Sequence, residues 1–185
     1  MKVLSQQYGK RRSGGSAVRR AFVRGVCRLL TLTVLLMPIG VPASSGLTGQ
    51  SAPDFALKNI AGTNLRLSEY RGQVVLLSFW AAWCNRCTDQ LNVLSDLQKR
   101  YGEQNLRVLA VSIDSDDQPA REAAKRLGLV ILHDADQAVV RQYDPGVLPF
   151  AVLLDPHGTV RHVHAGYDAK DAMAYADELA ALILE

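Results

Sequence analysis

Apolar and polar positions alternate in blocks along residues 52–185. Val74 to Trp80 (V-V-L-L-S-F-W) is an almost unbroken β-branched and aromatic run. Such a run predicts a strand covered on both faces, as in a parallel sheet. Leu106 to Ile113 reads the same way, with shorter strands at Val130–Leu132 and Phe150–Leu154. Between them the spacing changes. Leu91, Leu94 and Leu97 recur at helical intervals, which predicts a helix over Asn85–Tyr101 closed by Gly102. Further helices are expected over Pro119–Leu127, ended by Gly128, and over Gln137–Tyr143; Asp168 is placed to cap a last one running to about Ile183. Two hairpins complete the pattern. One joins Phe55–Asn59 to Asn64–Leu67 through Ala61-Gly62, the other joins Phe150–Leu154 to Thr159–Val163 through Asp155–Gly158, and Ser68–Gly72 forms a turn. Strands alternating with helices, followed by a hairpin and a terminal helix, predict an α/β domain with a mixed sheet covered on both faces. The order alone does not fix the fold.

The first 43 residues follow a different pattern. A basic stretch leads into an apolar run, Leu29–Gly40, and then Val41-Pro42-Ala43. This is the layout of an export signal cleaved after Ala43. The run is shorter than the roughly 20 residues a spanning helix needs, and an uncleaved anchor lengthened by Val26, Cys27 and Val41 is the alternative. Arg19-Arg20-Ala21-Phe22-Val23-Arg24 resembles a twin-arginine signal, against which stands a chance arginine pair in a basic leader. Residues 44–51 are small and polar and read as a linker to a folded domain over 52–185.

Composition changes this picture in one respect. The net charge of +3 belongs to the leader: residues 1–43 carry eight Lys and Arg and no acid, whereas the remainder carries 13 basic and 18 acidic residues. A nucleic-acid partner for the folded part therefore loses its support. The 185 residues, 48% of them hydrophobic, suffice for one cored domain. Of the three cysteines, Cys27 lies in the leader, which leaves Cys84 and Cys87. One close pair does not staple a scaffold, and it points to reactive chemistry.

That pair sits in Trp83-Cys84-Asn85-Arg86-Cys87, where the buried strand ends and a helix begins. Free N–H groups and the helix dipole favour negative charge there, so Cys84 is expected to be the nucleophile, with Arg86 adding a fixed positive charge. Cys87 lies on the same helical face, within disulfide reach, to resolve a mixed disulfide. Competing readings are half a zinc site, a static disulfide and chance pairing. Zinc lacks further cysteine ligands, and His162 and His164, on one strand face, read as surface residues. A loop this small constrains the unfolded chain little.

The segment F-W-A-A-W-C-N-R-C resembles the thioredoxin superfamily active site. Together with A-P-D-F-A-L (52–57), residues 67–80, V-L-A-V-S-I-D (108–114) and G-V-L-P-F-A-V-L-L-D-P-H-G (146–158), it is similar to the TlpA/ResA branch. The resemblance covers nearly all of 52–185. It implies a thioredoxin fold, a central mixed sheet flanked by helices, with an N-terminal β-hairpin. It also implies disulfide reductase activity in the periplasm. By the same resemblance Pro149 is cis and faces the cysteines, and Leu148 helps form the substrate groove. From residues alone Pro149 would be a trans strand-edge proline. Trp83 is expected to contact substrate and Trp80 to pack in the core.

The departures concern protons. Many thioredoxins carry a buried Asp where this chain has Ser78, and ResA-like proteins a Glu where it has Gln90. Neither usual acceptor for the buried thiol is present. Asp89 is adjacent but points to another helix face, where it can serve the dipole as a first-turn acid. Asp114, Asp116 and Asp117 read as solvated loop acids rather than a cation site.

The leading expectation is a periplasmic thiol–disulfide oxidoreductase acting as a monomer on proteins with cysteine pairs, such as apocytochrome c or a copper-site protein. Its redox group is the Cys84–Cys87 disulfide, with no cofactor and no metal. A membrane-bound donor keeps it reduced, and only the N-terminal segment touches the membrane. A peroxiredoxin-like peroxidase is the second reading, but it needs Thr or Ser where Ala81 stands. A Sco-like copper carrier is the third; it needs C-x-x-x-C and a histidine drawn from His133, His157, His162 and His164.

Overall fold

The computed structural model describes residues 46–185, so the stretch read as an export signal, with Cys27, lies outside the described residues. Strands β1 (Ala56–Lys58) and β2 (Asn64–Arg66) pair antiparallel, Ala56 opposite Arg66. Their turn is set by the Asn59 side-chain oxygen, which accepts N–H bonds from Ala61 (3.0 Å) and Thr63 (2.9 Å). Gly62, at φ 90°, takes a conformation that costs a residue with a Cβ. A 3-10 turn over Leu67–Tyr70 follows, tied to Asp54, whose carboxylate accepts from the Ser68 N–H and hydroxyl.

The central sheet contains β3 (Val74–Trp80), β4 (Leu106–Ser112), β5 (Val130–His133), β6 (Phe150–Leu154) and β7 (Val160–Ala165), in the order β5-β4-β3-β6-β7. Helix α1 (Asn85–Tyr101) crosses from β3 to β4, and α2 (Gln118–Leu127) from β4 to β5, so those pairs are parallel. The tight turn at Asp155–Gly158 makes β6 and β7 antiparallel, and β6 lies antiparallel to β3. The remaining helices are α3 (Val140–Tyr143) and α4 (Asp171–Ile183).

The two-residue period of β3 divides the core. Val75, Leu77 and Phe79 face one cluster with Phe55, Leu67, Tyr143 and Phe150. Val74, Leu76 and Trp80 face another, with Leu91 and Leu94 of α1, Ala120 of α2 and Leu179 of α4. This is the expected α/β architecture, with helices on both faces. Ser78, with the parity of Leu76 and Trp80, is directed to the α1 face.

Several boundaries differ from the sequence reading, each for a local reason. The helix expected from Gln137 begins at Val140, because Gln137 is left-handed (φ 57°) and the Asp134 carboxylate accepts the N–H groups of Val139 and Val140. Gly102 does not close α1 in a left-handed cap: it remains helical (φ −57°), and Asn105 takes the left-handed turn (φ 73°). Asp168 does not cap α4 directly. It forms a turn with Asp171, accepting that residue's N–H on its backbone oxygen (2.9 Å) and donating its own to the Asp171 carboxylate (2.6 Å). The stretch read as linker is bonded to the sheet in its described part: Gly49 N–H donates to Val160 O, and Val160 N–H to Gln50 O, both at 2.8 Å.

Candidate active site

Strand β3 ends at Trp80 and the chain turns through Ala81–Trp83 into α1. Two ties fix this loop. The Ile113 N–H donates to Trp80 O (3.0 Å), and the Ala82 N–H donates to the Asp114 carboxylate (3.0 and 3.2 Å). Asp114 is itself held by the Ser112 hydroxyl at 3.0 Å. Asp116 and Asp117 stay open to solvent, as expected of loop acids, and Asp114 is half-buried, but all three also hold local structure. Asp116 accepts the Gln118 N–H (2.6 Å), and Asp117 pairs with Arg121 (2.6 Å), which holds its carboxyl below the usual range. Their positions after β4 and before α2 were the available signal, since short acids favour helix starts and turns.

Cys84 is the N-cap of α1, with extended backbone (φ −90°, ψ 103°), and Cys87 lies one turn in. The two are joined in a disulfide, with Cα atoms 5.3 Å apart. The partners are not equivalent. Cys84 is 8% exposed and lines a groove, whereas Cys87 is wholly buried. The groove, of about 1060 Å³, runs from Trp83, Cys84 and Arg86 to Arg141, Val147 and Leu148. Trp83 stands 69% exposed on its rim and Val147 is 48% exposed, while Trp80 is buried as expected. The structure thus brings Trp83, Cys84, Arg86 and Leu148 together. The Leu148–Pro149 bond is cis, and Pro149 is buried beside Leu148 at the start of β6.

Arg86 has a second attachment: its guanidinium donates to Tyr167 O at 2.8 Å, tying α1 to the segment between β7 and α4. Asp89 is exposed and lies beyond the first turn of α1, so it is not a first-turn acid. The phenol of Tyr167 titrates above its ordinary value, through burial first and then the carboxylates of Asp171, Asp89 and Asp168.

Behind the disulfide lies a polar group that sequence reading noticed only as missing acids. The Ser78 hydroxyl donates to Gln90 Oε1 at 2.6 Å, and Gln90 Nε2 donates to the Tyr175 hydroxyl at 2.8 Å. All three side chains are fully buried. The His164 ring packs on Tyr175, centroids 4.3 Å apart. His164 and His162 both reach Glu178, at 2.7 and 3.3 Å, so they clamp α4 to β7 instead of standing as plain surface residues. Among the described residues, no cluster of three His, Cys, Asp or Glu side chains has the geometry to hold a metal. No helix among them is long and apolar enough to cross a membrane.

Residues 48–163 match the AhpC/TSA family. The thiol-disulfide oxidoreductase ResA of Geobacillus kaustophilus (strain HTA426) is 33% identical over 158 residues, covering 80% of this chain and 91% of that protein. ResA of Bacillus subtilis (strain 168) is 28% identical over 154 residues, covering 80% and 86%. Among solved structures, a Chlorobium tepidum protein provisionally named thiol:disulfide interchange protein DsbE superposes with a TM-score of 0.69 at 29% identity, covering 74% of this chain and 97% of that one. With a thioredoxin fold and a cysteine pair at the head of α1, the chain belongs to the AhpC/TSA thioredoxin-like family, as a thiol-disulfide oxidoreductase of the ResA and DsbE type.

Proposed function

We propose that this protein is an exported reductase of protein disulfides in the periplasm, with Cys84 as attacking thiol and Cys87 as resolving thiol. The observation that carries the assignment is the asymmetry of the pair: Cys84 borders the groove at the start of α1, and Cys87 is sealed behind it. In the reduced protein the Cys84 thiolate, favoured at a helix N-terminus, attacks a substrate disulfide. One substrate sulfur leaves as thiolate and takes a proton from solvent. Cys87 then loses its proton, attacks Cys84 Sγ and expels the second substrate sulfur. Two electrons pass to the substrate, and the Cys84–Cys87 disulfide is the product on the enzyme. No cofactor enters the cycle.

Trp83, Val147 and Leu148 give the groove an apolar rim for the residues flanking a substrate cysteine, and Arg86 positions the loop on one side. The substrates are proteins with a cysteine pair, of which apocytochrome c is the leading case. A membrane-bound dithiol donor restores the reduced state, and the protein works as a monomer. The basic and apolar character of residues 1–43 supports export.

The test is insulin disulfide reduction together with trapping. Cys84→Ser is expected to abolish reduction, and Cys87→Ser to accumulate a mixed disulfide on Cys84. Unchanged reduction in the first variant overturns the assignment. A reduction potential near about −270 mV supports a reductant, and one near about −120 mV reverses the direction.

A further inference from the structure

Resolution requires that Cys87 give up a proton. Cys87 belongs to the core cluster that also holds Trp80 of β3, Leu91 and Leu94 of α1, Val108 and Ala110 of β4, Ala151 of β6 and Tyr175 and Leu179 of α4. Apolar packing of this kind disfavours a thiolate. The adjoining elements α1, β4, β7 and α4, and the segment before α4, carry ionisable groups that include Arg86 and Asp89, Arg107, His162 and His164, Tyr167 and Asp168, and Asp171, Tyr175, Asp177 and Glu178. Of these only Tyr175 is fully buried. Burial raises its phenol above the ordinary tyrosine range, so at neutral pH it holds its proton. Among the described residues the buried carboxylates are Asp134 and Asp155, and both are occupied by backbone N–H groups at other loops.

The space one turn beyond Cys87 is filled by Gln90, the i+3 neighbour on the same helix face. Its carboxamide is held at both ends. The Ser78 hydroxyl donates to its oxygen, and its nitrogen donates to the Tyr175 hydroxyl. Three uncharged side chains from three elements are thus bonded in series where no water-exposed atom remains. None of these neutral oxygens is basic enough to take a thiol proton near neutral pH.

We propose that Gln90 is a positioning residue which, fixed between Ser78 and Tyr175, keeps the region behind Cys87 free of any proton acceptor and so makes resolution of the mixed disulfide at Cys84 the slow, pH-governed step. The inference rests on the roles assigned to the two cysteines above. The proton of Cys87 then leaves to solvent water or hydroxide, and the lifetime of the enzyme–substrate mixed disulfide is set by the thiolate fraction of Cys87.

The experiment uses the reduced full chain with Cys27→Ser, mixed in stopped flow with one equivalent of 5,5′-dithiobis(2-nitrobenzoate). Attack by Cys84 releases the first thionitrobenzoate and leaves the second on Cys84 as a mixed disulfide. Attack by Cys87 releases that second ion and closes the Cys84–Cys87 bond, so the two steps are read separately. The expected result is a second phase slower than the first that rises about tenfold per pH unit between pH 6 and 8, as for an untitrated thiol. Gln90→Glu is expected to raise the ratio of second to first rate constant at least tenfold at pH 7 and to flatten its pH profile, as a buried carboxyl titrating near neutrality acts as base. Gln90→Met removes the hydrogen bonds without adding a base, and its ratio is expected to stay within about threefold of the parent. Ser78→Asp places a carboxyl at the other end of the same bond and gives a second reading if Gln90→Glu does not fold. A parent second phase that is flat from pH 6 to 8, or equal acceleration by Met and Glu, overturns the proposal. Loss of the first phase itself would instead overturn the assignment of Cys84.

Discussion

The fold buries polar side chains both at the loops that end β5 and β6 and beside the disulfide, and it does so in opposite ways. At the loops that follow β5 and β6, the buried groups are carboxylates. Asp134 receives the N–H groups of Val139 and Val140 at 2.8 to 3.2 Å, and Asp155 those of His157 and Thr159 at 2.9 Å. On the face carrying α1 and α4, next to the disulfide, the network of Ser78, Gln90 and Tyr175 is uncharged. A buried carboxylate is tolerable when fixed N–H donors fill its oxygens, and it then ties down a loop. Behind Cys87 the donors available are a hydroxyl and a carboxamide, which suit a neutral partner. Charge at these buried sites anchors loops, and the polar network next to Cys87 is uncharged.

The strongest challenge to this contrast is Asp134→Ala. It leaves two buried N–H groups without acceptors and is expected to cost about 3 kcal/mol, read as a lowered urea midpoint. Gln90→Met is expected to cost less, about 2 kcal/mol, since two hydroxyls lose a neutral partner and no charge is left unpaired. A double-mutant cycle with Ser78→Ala should give a coupling of about 1 kcal/mol. If Gln90→Met costs more than Asp134→Ala, the neutral network is the stronger tie and the contrast is inverted.

Asp114 is the intermediate case, a half-buried acid that anchors the active-site loop. Asp114→Asn keeps the shape but weakens a charge-assisted bond to Ala82. A loss of about 1 kcal/mol is expected, with a severalfold lower kcat/KM for insulin reduction. An unchanged kcat/KM would mean that the loop is held by the Ile113–Trp80 bond alone.

The smallest effect concerns pH. Burial holds the phenols of Tyr175 and, on the other face, Tyr143 above the ordinary tyrosine value, which means the folded protein favours their neutral forms. That contribution is intact below the unfolded tyrosine pKa of about 10 and is lost as pH rises above it. Tyr175→Phe should therefore shallow the alkaline limb of the stability profile, leaving the part due to Tyr143. A limb identical to that of the parent would show that Tyr175 reaches solvent when ionised.

Much of the site was legible in the sequence because it is local. Cys84 and Cys87 are three residues apart, and a strand that ends where a helix begins places them at a helix N-terminus without reference to the rest of the chain. The apolar runs likewise determined β3, β4 and β6 and the helix over Asn85–Tyr101, since the periods of strand and helix are properties of a short segment. Helix ends were read less well. Gln137 and Asn105 adopt left-handed turns that their residue types permit but do not announce.

What only the tertiary structure decided involves partners far apart in the chain. Asp114 meets Ala82 across 32 positions, Arg86 meets Tyr167 across 81, and Gln90 meets Tyr175 across 85. No periodicity encodes such pairs, because they exist only once the sheet order β5-β4-β3-β6-β7 has placed α1 against β3 and α4. The sequence by itself determined that Cys84 and Cys87 pair at the start of a helix. The packing of α1, β3 and α4 decided that Cys84 opens to a groove, that Cys87 is sealed, and that what lies behind it is neutral. The physical reason is that a disulfide closed by one helical turn is a matter of local geometry, while the solvation of each sulfur depends on every element that covers it.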